Sequence, residues 1–320
     1  MPHLPGAFSK RRAVQLRAMQ LLYCGSGWLP IVDYIRARLP AGAAIEIWDR
    51  NVPLVERVRD VDVLLPSAAA ITANVIAAAP KLRLIQQPAA GTDTIDRAAA
   101  RERGIPVCNA PAMFGAVAEL ALFLLLAVAR RIPIAPRAFE NREVGVPVGF
   151  ELAGKTLGII GMGRTGRALA ERARALGMNV IALGRGASPD ERQAFFASSD
   201  AISIHCPLDA TTRGLVDRAA FDAMRPGVFV VNVARGGVID RDALEYALAA
   251  DKLGGVGLDV HWHEPADPAD PLYADPRVIA LPHMGGSTHE AFTRITDVVI
   301  GNIERLERGE PLLHRVDAIS

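Results

Sequence analysis

Apolar runs of strand length alternate with helix-length patterns from Met19 to about Pro282. The first set is Met19–Cys24, Ala44–Trp48, Val61–Leu65, Leu82–Gln86 and Ile105–Cys108. The second is Lys155–Ile160, Asn179–Leu183, Ala201–His205, Val228–Val233, Gly255–Val260 and Val278–Leu281. Runs this rich in Val, Ile and Leu, separated by helices, predict parallel sheets covered on both faces. Eleven strands are too many for one small doubly wound unit, and they divide into five and six. Between the sets lies a helical stretch, Ala116 to Arg131, apolar on nearly every side (Val117, Leu120, Phe123, Leu124, Leu126 and Val128 among others). Such a helix is expected to be buried all round, in a domain core or at a surface shared between domains or subunits. A polar segment follows, from Ile132 to Phe150, and residues 1–18 read as a loose extension.

The length of 320 residues fits two domains. With 50% hydrophobic and 22% charged residues the chain is not a disordered one. Lys plus Arg exceed Asp plus Glu by 36 − 35 = 1, which argues against a nucleic-acid surface as the main business of the protein. Cys24, Cys108 and Cys206 are too few and too scattered for a disulfide framework or a zinc knuckle. Each lies in or beside an apolar run, which suggests buried thiols in a reducing compartment. The longest apolar run, Leu120–Ala129, is about half a membrane span. The basic residues Lys10, Arg11, Arg12 and Arg17 have no apolar signal segment behind them. A cytoplasmic protein with neither membrane nor nucleic acid as partner is the expectation.

Gly161-Met162-Gly163-Arg164-Thr165-Gly166 follows one predicted strand and precedes a helical pattern, Arg167–Leu176, that ends at Gly177. The first glycine permits a tight turn, the second lets backbone approach a pyrophosphate, and the third allows helix to pack on strand. Amides at the helix N-terminus then face the phosphates. Set strand-to-helix in this way, the motif points to a dinucleotide site. An acid is expected about 20 residues on, to hold a ribose 2′-hydroxyl. Here the strand ends instead in Gly184-Arg185-Gly186-Ala187-Ser188. A small residue and an arginine in that place suit a 2′-phosphate, so NADP is favoured, with NAD possible if Arg185 is only a solvated surface residue.

Three later strands end in short polar clusters: Val233-Ala234-Arg235-Gly236-Gly237, Asp259-Val260-His261-Trp262-His263-Glu264-Pro265, and Leu281-Pro282-His283-Met284-Gly285-Gly286-Ser287-Thr288. C-terminal strand ends of a parallel sheet converge on one crevice, so Arg235, Glu264 and His283 can approach one ligand. A hydride acceptor bound in such a crevice builds negative charge on its oxygen, which calls for a cation and a proton donor. Arg offers a bidentate fork for a carboxylate, and His beside a carboxylate favours the charged imidazolium. His261 and His263 invite a metal reading, but no further ligand stands at a recognisable spacing, and no metal is expected.

These motifs together resemble the D-isomer-specific 2-hydroxyacid dehydrogenase family, of the glyoxylate/hydroxypyruvate reductase kind. The resemblance covers about residues 60 to 315 and includes Ala90-Gly91-Thr92-Asp93-Thr94-Ile95-Asp96, Val117-Ala118-Glu119 and His205-Cys206-Pro207-Leu208. It implies that Arg235 binds the substrate carboxylate and C2 oxygen, that His283 is the acid/base, and that Glu264 pairs with His283. It places Ala90 and Gly91 against the substrate carboxylate and Asp259 near the nicotinamide. Gly161, Gly163, Arg164, Thr165, Gly166, Arg185, Cys206, Pro207, Thr212, Val233 and Gly285 would also line the cofactor.

The fold so implied is α/β, two doubly wound parallel-sheet domains with a Rossmann cofactor domain inserted into a discontinuous flavodoxin-like substrate domain. The substrate domain would take residues 19–112 and 288–320, and the dinucleotide-binding domain residues 113–287. The implied reaction is reversible reduction of a short 2-keto acid, such as glyoxylate or hydroxypyruvate, to the D-2-hydroxy acid by NAD(P)H, in a homodimer. Alternatives are a phosphoglycerate-type dehydrogenase, suggested by Gly285–Thr288, and a dinucleotide-sensing corepressor-like binding protein. Formate dehydrogenases of this resemblance pair the histidine with Gln, and Glu264 speaks against that reading. The stretch Arg185–Asp200 is short enough that a strand and helix usual there are trimmed or absent, and the plain loop Ser67–Ala70 leaves substrate size open.

Overall fold

A computed structural model describes residues 19–317, so the extension expected over residues 1–18 lies outside the described residues. Residues 19–88, 94–109 and 298–317 form one compact unit, and residues 89–93 with 110–297 form a second. All eleven sequence-predicted strands are present, most of them shorter by a residue or two.

The first unit is built on β1 (Gln20–Tyr23), β2 (Ala44–Ile47), β3 (Val63–Leu65), β4 (Leu84–Gln86) and β5 (Val107–Cys108). They pair in the order β2-β1-β3-β4-β5, every pairing parallel. Leu21 sits opposite both Ile45 and Val63, and this register turns Leu22, Leu64, Ile85 and Val107 to one face, where they meet Val75 and Ile76 of the short helix Ala73–Ala77. The last half of the helix His289–Arg308 belongs to this unit. Its Asn302 is fully buried and fully engaged: Nδ2 donates to Gln86 Oε1 (2.6 Å) and Leu313 O (3.0 Å), while Oδ1 accepts from Leu313 N (2.7 Å). A buried amide is tolerated only when its donors and acceptor are met in this way.

The second unit carries β6 (Thr156–Ile160), β7 (Asn179–Leu183), β8 (Ala201–Ile204), β9 (Val228–Asn232), β10 (Leu253–Leu258) and β11 (Val278–Ala280). Their order is β11-β10-β9-β8-β6-β7, again all parallel. A six-stranded dinucleotide-binding sheet ordinarily has one more strand outside the second. Here only the helix Pro189–Ser198 connects β7 to β8, closed by a capping box between Ser188 and Glu191. The short stretch read from the sequence therefore lacks that strand, and β7 is the sheet edge.

The helix Phe114–Ala129 lies against β9 and β10 and against the helix Arg164–Ala175. Glycines in β10 let it approach: a Cβ on Gly255 would stand 2.9 Å from the Val128 Cβ, and one on Gly257 3.0 Å from the Leu124 Cβ. The expectation of burial all round is corrected for the single chain. Ala118, Ala121, Leu124, Leu125 and Val128 face the sheet, but Phe123 is 52% exposed and Leu126 38%. Contact with one sheet and one helix covers only part of a helix surface, so the rest faces outward. Among the described residues no helix is long and apolar enough to cross a membrane.

Candidate active site

The glycine turn forms as its sequence requires. Gly161 has φ +97°, and a Cβ there would lie 2.7 Å from the Cys206 amide nitrogen. That combination excludes other residues on both conformation and space. Gly163 is the N-cap of the helix Arg164–Ala175, makes no side-chain cap, and has no atom within 4 Å of where its Cβ would stand. Gly166 faces the Gly161 carbonyl oxygen so closely that a Cβ would overlap it. A tight turn, an open backbone approach and uncapped helix amides fit a pyrophosphate. Arg164 donates to Pro111 O (3.4 Å), and Thr165 follows it in the first turn.

The loop after β8 runs beside this turn. Cys206 is buried, and Thr212 Oγ1 donates to Pro207 O (2.7 Å), closing the loop on itself. His205 bonds Ser203 Oγ through Nε2 (2.8 Å), while its buried Nδ1 has no partner among the described residues; burial depresses its pKa to about 4, so the ring is neutral at neutral pH. Arg185, just past β7, is exposed, with Nη2 3.8 Å from Asp209 Oδ2.

β9 delivers Arg235. Asn232, fully buried at the strand end, donates from Nδ2 to Arg235 O (2.9 Å) and accepts from Ala234 N (3.0 Å) through Oδ1. The turn is thereby fixed, with Val233 and Ala234 buried and Arg235 projecting. A Cβ on Gly236 would overlap the His261 carbonyl, which seats this turn against the loop after β10. Arg235 Nε (3.2 Å) and Nη2 (3.0 Å) donate to the two oxygens of Asp93, and Nη1 donates to Ala234 O (2.7 Å). Gly91 backs onto the same guanidinium so closely that a Cβ would overlap Nη2. Ala90 precedes it in the short segment 89–93, which brings the expected carboxylate-binding backbone beside Arg235.

His283 follows β11 in a left-handed conformation, φ +53°. Its Nδ1 lies 2.6 Å from Glu264 Oε2, and Glu264 Oε1 accepts from His261 N (3.1 Å). Asp259, 1% exposed, accepts from Met284 N (2.7 Å) and Gly285 N (2.9 Å). It thus clamps the backbone directly after His283, a conformation that non-glycine residues rarely adopt. His261 spends both ring nitrogens internally, Nε2 on Leu281 O and Nδ1 on Tyr273 Oη, each at 2.8 Å. Among the described residues no cluster of His, Cys, Asp and Glu could hold a metal ion.

The titratable groups behave as their surroundings require. Burial pushes the Asp93 carboxyl up, but the Arg235 hydrogen bonds and charge outweigh it and hold it below 3.8, with His283 adding to the effect. Burial likewise opposes ionisation of Glu264, yet the bond and charge of His283 and the His261 amide hold it below 4.5. Asp259 goes the other way: burial raises it, and the Glu264 charge adds to that, against the two amides and His283.

Arg235, Glu264 and His283 therefore stand at adjacent strand ends of one sheet, with Ala90 and Gly91 beside the arginine. Asp93, Asn232 and the amide-bound role of Asp259 were not singled out from the sequence. Asp93 lies two residues from Gly91 within a quoted motif, and a carboxylate that close to a carboxylate-binding backbone was the signal available.

A parallel sheet whose strand leads through a phosphate-accommodating glycine turn into a helix N-terminus defines the dinucleotide-binding class of α/β proteins, and here an arginine and a His–Glu pair stand at further strand ends of the same sheet. Residues 122–285 match the D-isomer specific 2-hydroxyacid dehydrogenase, NAD binding domain, and the chain belongs to that family. It is 37% identical over 292 residues to a glyoxylate reductase of Thermococcus litoralis, covering 83% of this chain and 88% of that one. It is 36% identical over 304 residues to a D-3-phosphoglycerate dehydrogenase of Archaeoglobus fulgidus, covering 89% of this chain but 57% of that protein. In structure it is similar to an NAD-dependent formate dehydrogenase from Staphylococcus aureus in complex with NAD, with TM-score 0.81, 29% identity, and coverage of 94% of this chain and 100% of that one.

Proposed function

We propose that this protein reduces a short 2-keto acid, glyoxylate or hydroxypyruvate in kind, to the D-2-hydroxy acid, with NADPH favoured over NADH. The observation that carries the reading is the pair His283 Nδ1 to Glu264 Oε2, 2.6 Å, next to an arginine-bearing strand end. The bound nicotinamide dinucleotide supplies the hydride. Arg235 has five N–H donors and commits three to Asp93 and Ala234 O, which leaves two for a substrate carboxylate or C2 oxygen. With Nδ1 turned to Glu264, Nε2 is the ring nitrogen that gives its proton to the C2 oxygen and takes it back in the reverse direction. Glu264 steadies the imidazolium and fixes the ring orientation. The Ala90 and Gly91 backbone holds the substrate carboxylate, and Val233, Asp259 and Gly285 line the nicotinamide end. Gly161, Gly163, Arg164, Thr165 and Gly166 take the pyrophosphate, with Cys206, Pro207 and Thr212 alongside, and Arg185 takes the 2′-phosphate.

A phosphoglycerate-type reaction is the second reading, favoured by the Archaeoglobus relative, although the chain spans little more than half of that protein. A matrix of NADH and NADPH against glyoxylate, hydroxypyruvate, pyruvate and 3-phosphohydroxypyruvate tests both. Turnover fastest on the phosphorylated acid would replace the first reading with the second. Cofactor binding with no turnover on any acid would favour a corepressor-like binding protein.

We infer a homodimer as well. Phe123 and Leu126 present an outward apolar strip, and Phe139 (85% exposed) and Val144 (97%), in the segment that follows this helix in sequence, are apolar side chains left uncovered in the single chain. The three cysteines are buried thiols, raised by burial to about 12 for Cys24 and Cys108 and about 11 for Cys206, which suits a reducing cytoplasm.

A further inference from the structure

The end of β7 carries no acid, yet a carboxylate reaches the same place from elsewhere. Asp209 sits in the loop after β8, which lies on the other side of β6 from β7. Its two oxygens divide their work. Oδ1 accepts from Thr211 N (2.8 Å) and Thr211 Oγ1 (2.6 Å), holding the loop turn. Oδ2 faces Arg185 Nη2 at 3.8 Å. The Thr211 hydrogen bonds, and then the Arg185 charge, hold this carboxyl below 3.8, so it is an anion at neutral pH. Gly184, next to Arg185, has no atom within 4 Å of its Cβ position.

We propose that Asp209 is a specificity-determining residue for the dinucleotide, acting through Arg185 to hold down the preference for NADPH. The inference rests on the reading that Arg185 takes the 2′-phosphate. A 2′-phosphate arriving at Arg185 must share the guanidinium with Oδ2, whereas the 2′-hydroxyl of NADH brings no charge to compete for it. The carboxylate that such sheets ordinarily supply at the end of the second strand is here supplied, at longer range, by a neighbouring loop. Arg185 and Asp209 thus pull in opposite directions, and the preference is their balance. Both groups are exposed, so the effect is modest and falls with salt.

The test is a double-mutant cycle on dinucleotide binding, read as Kd by quenching of protein fluorescence, with no keto acid present. Asp209→Asn keeps an acceptor for Thr211 and removes the charge. It should tighten NADPH about two- to fivefold at low salt, the range of an exposed ion pair, and leave NADH unchanged or slightly weaker. The gain should shrink at about 500 mM salt, where charges are screened within about 4–5 Å. It should disappear in the Arg185→Ser background. Asp209→Ser, whose hydroxyl can still accept from Thr211, serves if the Asn variant melts at lower temperature. If Arg185→Ser weakens NADPH but Asp209→Asn changes nothing, the inference fails and the reading of Arg185 stands. If Arg185→Ser leaves NADPH binding unchanged, that reading fails. A gain from Asp209→Asn in both backgrounds overturns the route through Arg185.

Discussion

Asp93 grips Arg235 side-on, Nε to Oδ2 at 3.2 Å and Nη2 to Oδ1 at 3.0 Å, across 142 residues of sequence. The bidentate contact sets the plane of the guanidinium, and a planar cation so held presents its remaining donors in one direction. Gly91 completes the arrangement, because only a residue without Cβ leaves room for Nη2. Asp93 is a positioning residue in this view. Asp93→Ala should lower kcat/KM for the keto acid about tenfold, the lower end for a charge-assisted bond because the pair is partly exposed. Cofactor Kd should stay the same. KM is expected to rise less than kcat falls, since the variant also removes a charge that repels an anionic substrate. Unaltered kinetics would separate Asp93 from Arg235 function.

Gly91→Ala probes the same contact from the backbone. The new methyl must displace Arg235 or the segment 89–93, so the loss should exceed that of Asp93→Ala while NADPH still binds. Steady-state kinetics beside a cofactor titration distinguishes that outcome from general unfolding, which would remove both.

The Glu264–His283 pair predicts a loss of turnover and a change in acid stability. Glu264→Gln keeps an acceptor within reach of His283 Nδ1 but gives up the charge-assisted bond, so kcat for keto-acid reduction should fall about tenfold while cofactor Kd stays the same. Unaltered kcat would show that the residues are not coupled in turnover. The stability effect has a defined sign. The Glu264 carboxyl is held below its ordinary 4.5, so its contribution is present above that value and is lost as pH falls through the lower folded one. Acid unfolding of the Gln variant should therefore lose part of its pH dependence in that window.

Most of the fold was legible because each strand announces itself. Runs such as Val228–Val233 are too apolar and too short to be anything but covered strands, and the glycine loop lies between two unambiguous elements. Ends were less legible, since ladder bonds stop before the apolar pattern does: Ile105 is buried, yet β5 starts at Val107. The helix Phe114–Ala129 was legible as a helix but not in its exposure. Apolar composition says what a surface prefers, while the sheet can cover only the side it meets. The His–Glu pair came from resemblance, and the distance agrees with it. Asp93 with Arg235 and Asp209 with Arg185 were not legible. Each depends on a loop reaching a strand end from a distant part of the chain, and no spacing rule encodes that.

The last prediction concerns the cofactor and joins the edge position of β7 to Arg185. Because no strand lies outside β7 among the described residues, the residues after Leu183 face solvent, and Gly184 has open space where a side chain would stand. Gly184 is not among the residues with positive φ, so an aspartate there meets neither backbone strain nor a neighbour. Its carboxylate would accept from the ribose hydroxyls of NADH and repel a 2′-phosphate. Replacing Arg185 with Ser at the same time removes the opposing cation. An exposed charge-assisted contact changes affinity about tenfold at most, and the double variant both loses one and gains another. Gly184→Asp with Arg185→Ser should therefore turn a measured NADPH preference into an NADH preference. The change should appear mainly in KM and Kd, because this contact is remote from hydride transfer and equal in ground and transition states. A fall in kcat with either cofactor would mean that the substitutions reach the nicotinamide. An unmodified protein that already prefers NADH by about tenfold would mean that Arg185 points away from the bound ribose and that the loop after β8 governs the choice.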